Sequence, residues 1–228
     1  MGTSAKEPKR GWGLCQRREC LVLTWRGRFL LLVLGTSLAF GAARGVSPFL
    51  AVNDPVVGGA LVVEGWAPDY ALAEAMAEFK RNPYTRLYVT GGPIEKGAPL
   101  SEYKTFAEFG AATLIRMGMA SNLVQAVPAP PVRQDRTYAS AVALRNWLRE
   151  HGAAPQDCHV LSVGPHARRT RLMFEKALGG TTRVGITSIE SPDHDPKRWW
   201  RTSAGVRTVL GEAIAYVYAR LFFWPPRP

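Results

Sequence analysis

Cysteine is scarce in this chain, with three among 228 residues. Cys15 and Cys20 stand in a basic N-terminal tail, at a spacing that fits no common metal clip. Cys158 is alone in the remainder, which excludes an intradomain disulfide. Histidine is nearly as rare, at four residues. His194 lies between Asp193 and Asp195, but no second histidine follows at ligand spacing, so no metal is expected. The chain has no Gly-x-Ser-x-Gly elbow, no Walker loop and no Gly-x-Gly-x-x-Gly after its first strand. Those gaps disfavour serine-hydrolase, P-loop and NAD-binding readings. There is no internal repeat and no low-complexity tract.

Acidic residues are outnumbered, 18 against 29 basic ones, for a net charge of +11. Much of the excess sits at one end. Residues 1–28 hold seven basic side chains and two acidic ones, a net +5. That cluster directly precedes an uncharged run, Phe29 to Ala43, bracketed by Arg28 and Arg44. A basic tail before an apolar run is the pattern that holds an N-terminus in the cytoplasm. Fifteen residues is short for a span of roughly 20, but arginines snorkel and Val46 to Val52 is again mostly apolar. The same run has the length of a signal-peptide core, and Ala39, Gly41 and Ala43 suit a cleavage site. The long tail favours an uncleaved anchor. The expected organisation is a tail at 1–28, an anchor and linker at 29–52, and one domain at 53–228. This predicts a single pass through the inner (cytoplasmic) membrane, with the domain outside the cytoplasm. The rest of the chain carries only a mild basic excess, without a basic helix or an interleaved basic–aromatic stripe. Nucleic acid is therefore not an expected partner.

Past Asn53-Asp54-Pro55, short apolar runs alternate with helical periodicity. Strands are predicted at Ala60–Val63, Arg86–Thr90, Leu123–Val127, Cys158–Val163 and Arg183–Ile189. Helices follow from about Asp69, Ser101, Asp135 or Arg136, and His166, and a last one runs from Ala204 to Phe223. Such alternation predicts βαβ units. The expected fold is a three-layer, Rossmann-like α/β domain. Its mostly parallel sheet has about five strands with helices on both faces, and one transmembrane helix precedes it.

Ligands of such sheets bind beyond the carboxyl ends of the strands. Glu64-Gly65-Trp66, Thr90-Gly91-Gly92, Asp135-Arg136-Thr137, Gly164-Pro165-His166 and the Asp193-His194 loop should share that edge. Helix N-termini point there and favour anions. Glu64 and Asp135 are candidate general acid/base groups, and His166 a candidate proton donor or orienting group. Gly65, Gly91, Gly92, Glu102, Arg136, Thr137 and Arg169 are candidate ligand contacts. Each has a plainer reading: Gly91-Gly92 as a tight turn, Asp135 as a helix cap, Glu102 as an acid complementing a helix dipole. Arg168, Arg169 and Arg171 cannot all face one way on a helix. Trp199, Trp200, Tyr216, Tyr218, Phe222, Phe223 and Trp224 either pack the last helix onto the sheet or, if the chain is a scaffold at the membrane surface, lie on a bilayer.

The succession LVVEGW, VTGGP, SEYKTF, DRTYASA and SVGPHARRTR resembles the ElyC/SanA/YdcF family over Ala60 to Leu221. In that family a strand ends in Ser/Thr-Gly-Gly, matched by Thr90-Gly91-Gly92. An acid opening the next helix is matched by Glu102, a threonine opening the following one by Thr137, and a His-x-x-Arg by His166 and Arg169. The chain departs from the pattern at Glu64-Gly65-Trp66, where Leu-Gly-Gly is usual. It departs again at Arg136, in place of asparagine, and at Thr170, in place of alanine. The resemblance implies a role in envelope integrity and, with the cleft, an anionic or phosphorylated small molecule or lipid carrier as ligand. No cofactor is indicated. The ionisable groups at one edge favour catalysis, and the missing nucleophile favours simple binding.

Overall fold

A computed structural model describes residues 22–95, 97–153 and 155–225. Cys15, Cys20 and most of the basic tail lie outside the described residues. The chain forms α1 (Trp25–Leu50), β1 (Ala60–Glu64), α2 (Asp69–Arg81), β2 (Leu87–Gly91), α3 (Phe106–Arg116), β3 (Val124–Pro128), α4 (Arg136–Glu150), β4 (Asp157–Val163), α5 (Ala167–Leu178), β5 (Arg183–Ile189) and α6 (Ser203–Leu221).

The five strands make one parallel sheet in the order β3-β2-β1-β4-β5. Side chains alternate across β1 and sort the helices into two layers. Leu61 and Val63 pack with Ala71, Leu72 and Ala75 of α2 and with Ala111 and Leu114 of α3. Ala60 and Val62 face the other way, onto Ala141, Leu144 and Leu148 of α4 and Phe174 and Ala177 of α5. Leu61, Val62 and Val63 are fully buried, each stabilising the sheet by about 1.5–3 kcal/mol. The connections that leave β1 and β4 run to opposite faces of the sheet. The crevice between their carboxyl ends is therefore the topological switch point.

Cys158 lies near the amino end of β4, fully buried, and burial pushes its thiol up to about 12. It is no nucleophile at neutral pH.

α1 spans 26 residues, about 39 Å at 1.5 Å per residue. Its most apolar window has a mean hydropathy of 1.7 and none of it is buried, so the helix is long and apolar enough to cross a membrane. The helix does not stop at Arg44. Residues Ala42–Pro228 form one compact unit, so the last turns of α1 belong to the folded domain rather than to a linker. Leu50 is buried against Trp199 and Val209, and Trp199 Nε1 donates to Ala43 O at 2.8 Å. Ala43, Val46 and Leu50, at helical spacing, supply that packed stripe.

Two further expectations are corrected. α3 starts at Phe106, not Ser101, because Thr105 and Glu108 form a capping box. Glu102 thus does not open a helix; it is exposed in the preceding loop. The C-terminal rings divide by exposure, and those that pack inward meet helices rather than the sheet. Trp199, Tyr216 and Phe223 pack inward, while Phe222 and Trp224 are 68% and 81% exposed.

Candidate functional site

The alternation along β1 puts Glu64 on the α4/α5 face, at the strand's end, where it is only 3% exposed. A carboxylate this deep must be paired. Ser162 Oγ of β4 donates to Glu64 Oε2 at 2.8 Å, and Thr170 Oγ1 of α5 approaches the same oxygen at 3.4 Å. His166 Nε2 lies 3.4 Å from Glu64 Oε1. On its other side, His166 Nδ1 donates to Glu212 Oε1 of α6 at 2.9 Å. Arg169 closes the chain, donating to Glu212 through Nε at 2.8 Å and Nη2 at 3.0 Å. Arg169 Nη2 is also 2.9 Å from His166 Nδ1. Both nitrogens also lie within 3.0 Å of Glu212 Oε1.

Electrostatics follow from this alternation of signs. Burial alone would lower the pKa of His166. The charge of Glu64, with hydrogen bonds to Glu212 and Glu64, outweighs it and raises His166 to about 9. Burial pushes Glu212 up, but bonds from His166 and Arg169 outweigh it and hold the carboxyl down at about 2. Glu64 is also lowered: burial raises it, and His166, Ser162 and Arg169 outweigh that effect. At neutral pH the wall therefore holds an imidazolium, a guanidinium and two carboxylates, which sum to zero.

Glu64, His166, Arg169 and Glu212 of this network line a cleft of about 890 Å³ at the predicted edge, bounded by Gly91, Gly92, Asp135, Arg136 and Thr137 as well. Trp66 stands edge-on to the His166 ring, with centroids 5.2 Å apart, and partly covers it. Thr90, 1% exposed, also lines the cleft. Its hydroxyl has no hydrogen-bond partner among the described residues. The N-terminus of α4 opens here without a side-chain cap. Asp135 occupies the cap position in a left-handed conformation (φ 55°) and makes no cap hydrogen bond, so the capping role read from the sequence is not what it performs. Left-handed backbone at a non-glycine residue is strained by about 1–3 kcal/mol and concentrates at functional sites. The N-terminus of α3, by contrast, is closed by its capping box and by Gly92 O, which accepts from Phe106 N at 2.9 Å.

Several predicted contacts have other positions. Gly65 packs under α3, where an added Cβ would lie 2.1 Å from Phe106 O. Gly65→Ala should therefore cost about 3 kcal/mol through overpacking, read as a fall in Tm. Arg136 pairs with Glu95 at 2.9 Å on the exposed lip of the cleft. Glu102 does not line the cleft. Of the three arginines on α5, only Arg169 faces the cleft. Arg168 bonds Phe49 O, and Arg171 pairs with Asp54 at 2.8 Å. His194 lines a separate pocket. Among the described residues no group of three His, Cys, Asp or Glu side chains is arranged to hold a metal.

No family model matches the chain, and no curated protein matches it. The geometry must therefore carry the functional reading. Sequence reasoning missed Ser162, Thr170 and Glu212 as site residues. Glu212 had one available signal, as the lone acid in the otherwise apolar and basic α6.

Proposed function

We propose that the cleft binds, and processes by proton transfer, a phosphorylated or otherwise anionic envelope metabolite outside the cytoplasm. A polyprenyl-phosphate carrier or a peptidoglycan precursor has the required chemistry. α1 would anchor the chain in the inner membrane, as the ElyC/SanA/YdcF resemblance implies. The observation that carries the reading is the His166 ring placed between the carboxylates of Glu64 and Glu212 in the wall of a switch-point cleft. Buried ion pairs are seldom better for stability than apolar side chains of the same volume. Four charged groups retained beside a cavity argue for use rather than for stability.

In this reading the uncapped N–H groups of α4 and the Thr90 hydroxyl receive the anion. The guanidinium of Arg169 faces it with the N–H groups not spent on Glu212. His166 is the proton donor and ionised Glu64 the acceptor. Arg169 acts first as a positioning residue, beyond the ligand contact expected of it. A second reading, a non-catalytic binding module, is favoured by the mutual neutralisation of all four charges and by the inert Cys158.

The test is thermal stabilisation of the full chain in detergent, screened against nucleotides, sugar nucleotides and polyprenyl phosphates. A ligand at a hundred times its Kd should add about 2.7 kcal/mol, a Tm shift of about 5–10 °C. Thr90→Val keeps the shape and removes an unpartnered hydroxyl, so the fold should be unharmed while a roughly tenfold loss of affinity cuts the shift by about half. No shift with any anion would sink both readings and leave a scaffold.

A further inference from the structure

A second pocket, of about 340 Å³, lies where the last turns of α1 meet the carboxyl ends of β4 and β5. It shares no lining residue with the cleft around Glu64. Two polar groups front it from different elements. Ser47, near the end of α1, is 0% exposed, and its Oγ has no hydrogen-bond partner among the described residues. His194, in the loop after β5, is 9% exposed, and its Nδ1 is likewise without a partner there. Buried polar groups are almost always satisfied, so two orphans on one cavity call for an occupant.

The other hydroxyl and amide side chains of the wall are already engaged. Ser188 N donates to Asn53 Oδ1 at 2.8 Å, and Ser188 Oγ donates to Gly164 O at 2.9 Å. These bonds fix the floor and leave Ser47 and His194 as the groups presented inward. The charged lining residues are Arg44 and Lys197 against Glu190. The excess is positive, on the side of the chain where the apolar helix ends.

We propose that this pocket binds a single phosphate group, as a free anion or within a phosphoester, with Ser47 and His194 donating hydrogen bonds to its oxygens and Arg44 and Lys197 balancing its charge. Converging donors from two elements beside two cations suit an oxyanion with several acceptor oxygens. The phosphate has two sources. One is a phospholipid headgroup, because Arg44 and Ser47 stand at the end of a helix long enough to cross a membrane. That source rests on α1 being a span. The pocket's chemistry does not, and it equally fits inorganic phosphate.

The experiment is histidine-selective NMR of the ¹⁵N-labelled full chain in detergent micelles. The four imidazoles are assigned by single replacements. Inorganic phosphate is titrated in one arm, and phosphatidylglycerol is added to the micelles in the other. The His194 ring resonances should move in at least one arm. Movement with inorganic phosphate identifies a free-anion site, and movement with the lipid alone identifies a headgroup site. Ser47→Ala removes an unpartnered buried hydroxyl, so it should fold at least as well as the parent. It should weaken the response of His194 about tenfold, the worth of one charge-assisted hydrogen bond. A response of His166 alone would send the anion to the cleft and overturn the proposal. An unmoved His194 in both arms, or an undiminished response in Ser47→Ala, would overturn it too. His166 thus reports separately on the function proposed above.

Discussion

Replacing Glu212 by leucine is expected to destabilise the domain by about 3–5 kcal/mol, among the largest effects a single substitution has here. Glu212 is the hub of the buried network, with His166 at 2.9 Å and both Nε and Nη2 of Arg169 within 3.0 Å. Without it, two buried cations share Glu64, which His166 touches only at 3.4 Å. Removing one partner of a buried pair leaves an uncompensated charge, and the penalty is that charge rather than the lost bond. At about 2–4 °C per kcal/mol for a domain of this size, Tm should fall by about 10–15 °C. Arg169→Met in the same chain should restore part of the loss, because it removes one orphaned cation. A double-mutant cycle by calorimetry checks both values.

The second large effect is on pH dependence, and its sign follows from His166. Its folded pKa of about 9 lies above its ordinary 6.5. The stability it contributes is fully present below pH 6.5 and is lost as pH rises through 9. A rise of this size corresponds to about 3 kcal/mol. Glu212 works in the opposite direction. Its pKa is depressed from 4.5 to about 2, so its contribution is present above pH 4.5 and lost as pH falls towards 2. Stability should therefore plateau between about pH 4.5 and 6.5 and decline on both sides. His166→Asn should remove the alkaline decline and shrink the acid one, because Glu212 then keeps only Arg169 to hold its carboxyl down. Denaturant midpoints measured from pH 3 to 10 decide this. A flat alkaline side in the parent chain would show that His166 is not held as an imidazolium.

The fold was legible because the central strands β1, β2 and β4 are short, mostly apolar runs buried on both faces. β5 has its expected ends, Arg183 and Ile189, and the other strands differ by about one residue. Boundaries failed where a local signal was misweighed. Arg44 reads as the end of an apolar run, yet α1 continues because Ala43, Val46 and Leu50 have tertiary partners. Ser101-Glu102 looks like a helix start, yet Thr105 and Glu108 form the box that caps α3.

The site was half legible. Glu64, His166 and Arg169 follow from the rule that ligands gather beyond strand ends, and they do converge on one cleft. Glu212 does not follow from it, because α6 packs across that edge from the C-terminal end of the chain and no motif marks it. The departures from the family pattern proved informative. Glu64 and Thr170 are far apart in sequence, yet Thr170 Oγ1 lies 3.4 Å from Glu64 Oε2 and 3.2 Å from Ser162 Oγ. The hydroxyl at 170 completes the hydrogen bonding that a buried carboxylate at 64 requires. Reading position by position could not reveal that contact.

The claim beneath all of this is that His166 is held protonated between two carboxylates at the cleft. The direct measurement is the NMR titration of its ring in the full chain, compared with Glu64→Gln. His166 should stay protonated through neutral pH and titrate near 9. In Glu64→Gln its pKa should fall by at least one unit, because a charge becomes a neutral hydrogen-bond acceptor. Titration near 6.5 in the parent chain, unmoved by Glu64→Gln, would contradict the account, leaving the cleft without its proton donor and the functional reading without its support.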